Sequence, residues 1–380
     1  VKLKTVIYLD YNATTPIDPR VAEVMMPLLG PVYGNPSSSH SPGREAKAVV
    51  ERARGEVAGL LGCAAEEVVF TGGGTESNNH AIRGVVKASG KRPAHVITSA
   101  VEHPAVTEVC GLLAATSGCT VTVLPVNGTG LVDTGDLERA IRPETVLVTV
   151  MHANNEVGTI QPIAELAAMA RAHGIPFHTD AAQSVGKVGT WVGELGVDLL
   201  SVAGHKLYAP KGVGALYVRK GTSLVNLMHG AGHEAGRRPG TENLIGIAGL
   251  GAACRLAAAE LDHRAGHCRQ LRDRLWEELR SRVPGIVLNG HPDQRLPNTL
   301  SVAFPGADAR DLLARLPGLA ASPGSACHSG ETEPSAVLAA MGVDRELALG
   351  TVRFSTGRET TGDDIHRAAE QVATALDTAL

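Results

Sequence analysis

Between residues 66 and 220 the chain alternates short β-branched runs with alanine-rich helical stretches, and no other feature restricts its fold as strongly. The strand candidates are EVVFT (67–71), HVITS (95–99), TVTVLP (120–125), TVLVTVM (145–151), IPFHTD (175–180), DLLSVA (198–203) and GALYVR (214–219). Helical patterns at 76–89, 104–116, 135–141 and 162–173 lie between them. Such alternation predicts an α/β fold with a largely parallel sheet covered by helices on both faces. Aromatic residues make up only 3% of the chain and Gly is plentiful, which suits helices packed closely on a sheet. In these sheets ligands bind beyond the carboxyl ends of the strands. Here those ends carry Thr, Glu, His, Asn, Asp and Lys.

The chain has 380 residues, more than one hydrophobic core usually spans. After about residue 255 its texture changes. A long charged helical stretch (257–283) leads to short strands near 286–288 and 298–304, a Cys-bearing loop, a strand at 351–355 and a closing helix at 361–378. In that helix Ile365, Ala369, Val372 and Leu376 recur at helical spacing, which predicts one buried stripe. This region reads as a smaller α+β domain.

The formal charge of −4 carries no basic excess and predicts no nucleic-acid partner. No apolar run reads as a membrane span, and the start, VKLKTVIYLDYNATTP, does not read as a signal peptide. Six cysteines without a C-x-x-C pair argue for a reducing, cytoplasmic setting and against a disulfide framework. Cys63, Cys110, Cys119, Cys254 and Cys268 read as small packing residues. Cys327 differs: it lies in LAASPGSACHSG, with no large apolar residue from Ala320 to Gly330, which predicts a mobile, exposed loop.

Three motifs carry chemistry. In VVFTGGGTESNN (68–79) a strand runs into a triple Gly and then a helix start at Thr75. Glycines allow close backbone approach, and free N–H groups at a helix start attract anions. The spacing matches neither a P-loop nor G-x-G-x-x-G, so it suggests a cup for a single phosphate, with a plain tight turn as the alternative. HTDAAQSVGK (178–187) puts Asp180 at a strand end, as a helix cap or as a ligand group. SVAGHKLYAPKG (201–212) ends another strand with His205 and Lys206. A lysine shielded from solvent can lose its proton and condense with a carbonyl, although a lone strand-end lysine is usually solvated. Pyridoxal phosphate needs a phosphate cup, a Schiff-base lysine and an acid facing its pyridine nitrogen. Thr75, Lys206 and Asp180 supply these in order, and His103, after the strand at 95–99, is placed to stack on the ring or shuttle protons.

Other readings explain less. His263 and His267 share i, i+4 spacing, but no recognised motif completes a metal site, and a solvated helix face accounts for them. GSAC resembles a cysteine-protease nucleophile segment, a pattern that does not transfer between families. A sulfur-carrier or scaffold module without catalysis would not need Lys206, Asp180 and Cys327 together.

YLDYNATTP, GNPSSSHSPGR, GGGTESNN, VEHPAV, MHANNEVG, HTDAAQSVGK, AGHKLYAPKGVGALYVR, RRPGTEN, LPNTLSVAF, SPGSACHSG and VRFSTGR occur in this order along essentially the whole chain. Together they resemble the cysteine desulfurase and selenocysteine lyase group, within the class V aminotransferase family of fold-type I pyridoxal-phosphate enzymes. The resemblance implies a large domain (16–255) with a mostly parallel seven-stranded sheet. It also implies a smaller domain built from 1–15 and 256–380 that bears Cys327, and a homodimer with both active sites at the interface.

At the matching positions, the resemblance implies that Lys206 forms the Schiff base, Asp180 pairs with the pyridine nitrogen and Gln183 bonds the ring hydroxyl. His103 stacks on the ring. Gly74, Thr75 and His205 hold the phosphate, joined by Thr241 across the dimer. Arg353 binds the substrate carboxylate, with Asn155 beside cofactor and substrate. Cys327 is the implied nucleophile: its thiolate takes the sulfur of L-cysteine, leaving alanine and a persulfide for an acceptor protein. Ala203 stands where many members carry a phosphate-binding Ser. ACHS and RPGTEN also resemble selenocysteine lyases, so selenocysteine remains an alternative substrate. The chain ends in its last helix, without the tail of many desulfurases that dock an iron–sulfur scaffold, which leaves that partner open.

Overall fold

The computed structural model describes residues 6–328 and 331–377 and, for 325–328 and 331–332, the backbone alone. A two-residue strand, β1 (Ile7–Tyr8), precedes the large sheet. That sheet comprises β2 (Val68–Thr71), β3 (His95–Ser99), β4 (Thr120–Leu124), β5 (Thr145–Thr149), β6 (Phe177–Asp180), β7 (Leu199–Ala203) and β8 (Gly214–Val218). Their spatial order is β2–β8–β7–β6–β5–β3–β4. Neighbours from β7 through to β4 run parallel, and β8 is antiparallel to both β7 and β2. Connection length explains the reversal. Only residues 204–213 join β7 to β8, too few for a crossover helix, so the chain turns back on itself. That short turn carries His205 and Lys206.

Helices cover both faces. On one, Val57, Leu61, Leu166, Leu250 and Cys254 pack from the helices Ser41–Leu61, Ile163–Ala172 and Leu244–Arg282. On the other, Ile82, Val85, Val106 and Leu113 pack from Gly74–Ser89 and Pro104–Ser117. The edge strand β4 is largely exposed, while the other six strands are buried along their length.

Downstream lie β9 (Val287–Asn289), β10 (Thr299–Ala303), β11 (Leu319–Ala320), β12 (Ser322–Pro323), β13 (Ser325–His328), β14 (Glu331–Pro334) and β15 (Thr351–Ser355). An antiparallel sheet in the order β12–β15–β10–β9 packs on a core of Leu300, Val302, Phe354 and Leu312. The last helix, Gly362–Asp377, buries Ile365, Ala369 and Val372, with Leu376 partly buried beside them. Ile7 and Leu9 join this same core, and β1 pairs with β11. The N-terminal segment is thereby drawn across to the C-terminal strands.

Two sequence expectations need correction. The segment around Cys327 is a backbone-paired hairpin, β13 with β14, in which Cys327 stands opposite Thr332. Small and polar residues gave no apolar alternation to announce those strands, and main-chain pairing does not require one. At the base of the hairpin Gly324 N–H donates to Thr351 O and Ser335 N–H to Gly324 O. The second correction concerns the charged helix, which begins at Leu244, capped by the Asn243 side chain. Its first half is long and apolar enough, by length and composition alone, to cross a membrane. In this fold 61% of that window is buried inside the protein, where Ile247, Leu250 and Ala253 line the core.

Of the cysteines read as packing residues, Cys110, Cys119, Cys254 and Cys268 are buried and Cys63 is half-buried; all five are free. His267 Nε2 pairs with Thr360 O, and no cluster of His, Cys, Asp and Glu among the described residues could hold a metal.

Candidate active site

A cavity of about 180 Å³ opens at the carboxyl ends of the central strands. Gly74, Thr75, His103 and Asn155 line it, as do Asp180, Gln183, His205 and Lys206. Eight residues singled out in the sequence thus converge on one space.

Gly74 and Thr75 open the helix after β2. Gly73 before them has φ of 142°, a conformation that disfavours side chains. Strand β8 runs close beneath: a Cβ on Gly214 would stand 2.7 Å from Gly73 Cα. A Cβ on Gly74 would meet Ala203 Cβ at 3.2 Å. The first N–H groups of the helix therefore face a space bounded by small residues, which suits an anion.

Asp180 ends β6 and is held through both oxygens. Oδ1 accepts from Ala182 N–H at 2.9 Å and Oδ2 from Asn78 Nδ2 at 2.7 Å. Asp180 therefore closes a local turn rather than capping a helix, and it lines the cavity. His103 caps the helix Pro104–Ser117, and its Nδ1 accepts from Ala105 N–H at 3.1 Å. That bond leaves the proton of the neutral ring on Nε2. Burial lowers the proton affinity of His103; Asp180 opposes the shift and Lys206 adds to it.

Lys206 lies in the turn between β7 and β8. Its amine donates to Ala13 O at 2.9 Å and also to Asn12 O. Burial brings the amine down to about 8, with Arg353 adding to the shift and Asp10 and Asp180 opposing it. His205 contacts Thr14 Oγ1 through Nδ1, and burial, followed by Lys206, Lys211 and Lys187, brings it down to about 4. Two residues after Lys206, Tyr208 has φ of +69°, at a cost of about 1–3 kcal/mol for a bulky residue. The guanidiniums of Arg264 and Arg358 lie 5.6 and 5.1 Å from its ring, and its hydroxyl accepts from Arg358 N–H at 2.7 Å. These contacts hold the strained turn and, with it, the position of Lys206.

Arg353, on β15, stands just outside the cavity lining. Its Nη1 donates to Asn155 O at 3.0 Å, and Nη2 donates to Asp10 Oδ1 at 2.7 Å and Ser322 Oγ at 2.9 Å. Its Nε is buried without a partner. Thr241 is exposed and does not line the cavity of its own chain. The side chain of Cys327 lies outside the described residues.

Sequence reasoning missed four contributors, although all lie inside quoted motifs. Asn78 holds Asp180. Glu102 is buried between Ser99 Oγ and Met151 N–H, and burial raises it to about 8. Asn12 is the hub of the site. Its carbonyl accepts from Lys206 and Gln183, its Oδ1 from Lys187 and Asn298, and its Nδ2 donates to Asn155 O and Thr299 Oγ1. Lys187 completes that network. Its one sequence signal was a lysine stranded in the small-residue run AAQSVGKVG.

The donor set fits pyridoxal phosphate: an amine of lowered proton affinity, an anchored carboxylate and a helix start bounded by small residues share one cavity. Fold and cavity together define an α/β protein built to hold a carbonyl compound on a lysine. Residues 7–368 match the family model of class-V aminotransferases, and the chain belongs to that family. It is 47% identical to a protein named cysteine desulfurase IscS from Dictyoglomus turgidum, over 96% of this chain and 93% of that one. It is 44% identical to a cysteine desulfurase of Mus musculus, over 96% of this chain and 80% of that one. Among solved structures, a NifS-like protein superposes with a TM-score of 0.92 at 37% identity, covering 98% of this chain and 100% of the other.

Proposed function

We propose that this protein is a pyridoxal-phosphate-dependent cysteine desulfurase that converts L-cysteine to L-alanine and carries the sulfur as a persulfide on Cys327 for an acceptor. The observation that carries the reading is the convergence of Lys206, Asp180 and the Gly74–Thr75 helix start on one cavity. When bound, the cofactor supplies an electron sink that makes the Cβ–S bond of the substrate labile.

The residues divide the remaining work. Lys206, at about 8, is unprotonated in a useful fraction near neutral pH and so can condense with an aldehyde. Asp180, fixed through both oxygens, is oriented to face a ring nitrogen. Burial favours the neutral form of His103, whose Nε2–H is then a hydrogen-bond donor toward the cavity. Gly74, Thr75 and His205 are placed for the phosphate, and Gln183 for the ring oxygen. Arg353 and Asn155 are placed for the substrate carboxylate. As the Cβ–S bond breaks, an S–S bond forms on Cys327 and the carbon fragment takes up a proton to become alanine, so no external oxidant is needed.

The reading extends to a homodimer. Val24, Met26, Leu29 and Tyr33 expose apolar side chains along one stretch, at 39–79%, and a second copy of the chain would cover them. Thr241, exposed in its own chain, is then available to the phosphate site of the other copy. A reducing, cytoplasmic setting is part of the proposal and is supported by the five free thiols.

Purified protein supplied with pyridoxal phosphate should turn yellow, bleach with borohydride and release alanine and, with a thiol reductant, sulfide from L-cysteine. Cys327→Ala should keep the colour and lose sulfide release. No cofactor uptake, or undiminished sulfide release by Cys327→Ala, would overturn the reading. Selenocysteine turnover that survives in Cys327→Ala while cysteine turnover dies would favour the selenium alternative.

A further inference from the structure

Lys187 belongs to no role assigned above, yet its surroundings are unusual. Lys187 is partly buried, and together with Lys206 it lines a small cavity of about 30 Å³. The amine donates to Gln183 Oε1 at 2.9 Å and Asn12 Oδ1 at 3.1 Å. Gln183 Nε2 in turn donates to Asn12 O at 3.0 Å. The charged and titratable groups around Lys187 come from several elements. Lys206 and Tyr208 follow β7, Arg264 and Cys268 lie on the helix Leu244–Arg282, and Arg353 and Arg358 lie on and after β15. Tyr11 faces the same cavity from the N-terminal segment. Among the described residues no carboxylate stands with them, and Lys187 forms no ion pair there.

An amine can only donate to an amide oxygen. Lys187 and the Asn12 carbonyl together fix which end of the Gln183 amide is the oxygen, and leave the second N–H of its NH₂ group to donate toward the ligand cavity. We propose that Lys187 is a positioning residue, which locks Gln183 as a hydrogen-bond donor toward the ring oxygen of the cofactor. Burial brings the Lys187 amine down to about 7. Both of its bonds survive the change of state, because a neutral amine still carries two N–H groups. A donor at the ring oxygen favours the negatively charged form of that oxygen, and so lowers the pH at which the bound chromophore loses its proton. Without Lys187, Gln183 Oε1 is left buried and unpaired, and the amide is held as a donor only by its bond to Asn12 O.

The inference rests on the functional reading above, and one titration separates the two. The visible absorption of the pyridoxal-phosphate-loaded protein is followed against pH for wild type, Lys187→Met and Lys187→Arg. The midpoint should rise by about one unit, a tenfold change in proton affinity, in Lys187→Met. Lys187→Arg, which has only donors and can extend into the adjoining cavity, should restore the wild-type midpoint. Lys187→Leu carries the same expectation as Lys187→Met and serves if the methionine variant does not fold. A wild-type protein that takes up no pyridoxal phosphate overturns the functional reading and this inference with it. A loaded Lys187→Met or Lys187→Leu protein with the wild-type midpoint overturns the inference alone.

Discussion

Arg353 Nη2 lies 2.7 Å from Asp10 Oδ1, and the same carboxylate oxygen accepts from Ser322 Oγ at 2.9 Å. The guanidinium is thus already oriented by a carboxylate of its own chain, from a segment more than three hundred residues away in sequence. Nη1 is tied to Asn155 O and Nε has no partner, so a substrate carboxylate would meet a fork held in place on its far side. Arg353→Lys keeps the charge and loses the planar fork. The KM for L-cysteine should rise roughly tenfold to hundredfold, about 1.4–2.8 kcal/mol, with kcat changed far less. Steady-state kinetics checks this; an unchanged KM would remove Arg353 from substrate binding.

Ala203 lines the cavity beside Gly74, where a hydroxyl would face the helix start. Ala203→Ser should add one hydrogen bond to a bound phosphate and tighten cofactor binding by about 1 kcal/mol, roughly fivefold. Equilibrium dialysis against pyridoxal phosphate measures the change. A weaker Kd in the serine variant would place the phosphate elsewhere.

Arg54 and Glu234 form a buried bidentate pair, with both N–O distances 2.7 Å, and Glu234 Oε2 also accepts from Phe70 N–H at 2.9 Å. The pair ties the segment after β8 to strand β2, directly below the Gly74 turn. Glu234→Gln leaves the Arg54 charge with only the half-exposed Glu51 as a carboxylate partner and should destabilise the protein by about 3 kcal/mol. The double variant Arg54→Met, Glu234→Leu should recover much of that loss. Denaturant unfolding of the three proteins tests both statements.

Glu102 is raised by burial from 4.5 to about 8. In the folded chain it therefore holds a proton that the unfolded chain releases between those values. Its contribution to stability is complete below about 4.5 and is lost as pH rises through about 8. The melting temperature of the apoprotein should carry a corresponding fall across this window. Glu102→Gln, which keeps the shape and cannot ionise, should flatten that fall. Melting curves at several pH values decide, and an unchanged slope in the variant would show that the wild-type carboxyl is ionised when folded.

Much of the site was legible because its parts are local. A strand ending in Gly-Gly-Gly-Thr-Glu, a strand ending in Asp180 and a strand running into His205-Lys206 each reveal a backbone geometry within a few residues. The cofactor's needs then join them. The hairpin around Cys327 was not legible, since its strands are held by main-chain pairing between small and polar residues that carry no periodic signal. The early start of the helix Leu244–Arg282 was obscured because its first half is uniformly small and apolar.

The amino-acid order by itself determined the alternating sheet, the chemistry at the strand ends and the class of cofactor, because these follow from short-range pattern and residue type. Only the tertiary structure decided how those ends are wired together. Asn12, reached from β1, bonds Lys206, Gln183, Lys187, Asn155, Asn298 and Thr299, which fall in four separate stretches of the chain. Such a hub exists because β1 pairs with β11 and Ile7 and Leu9 enter the C-terminal core, which carries Asn12 to the foot of the large sheet's carboxyl edge. Hydrogen bonds are set by distance and direction in space, and separation along the chain does not encode either one.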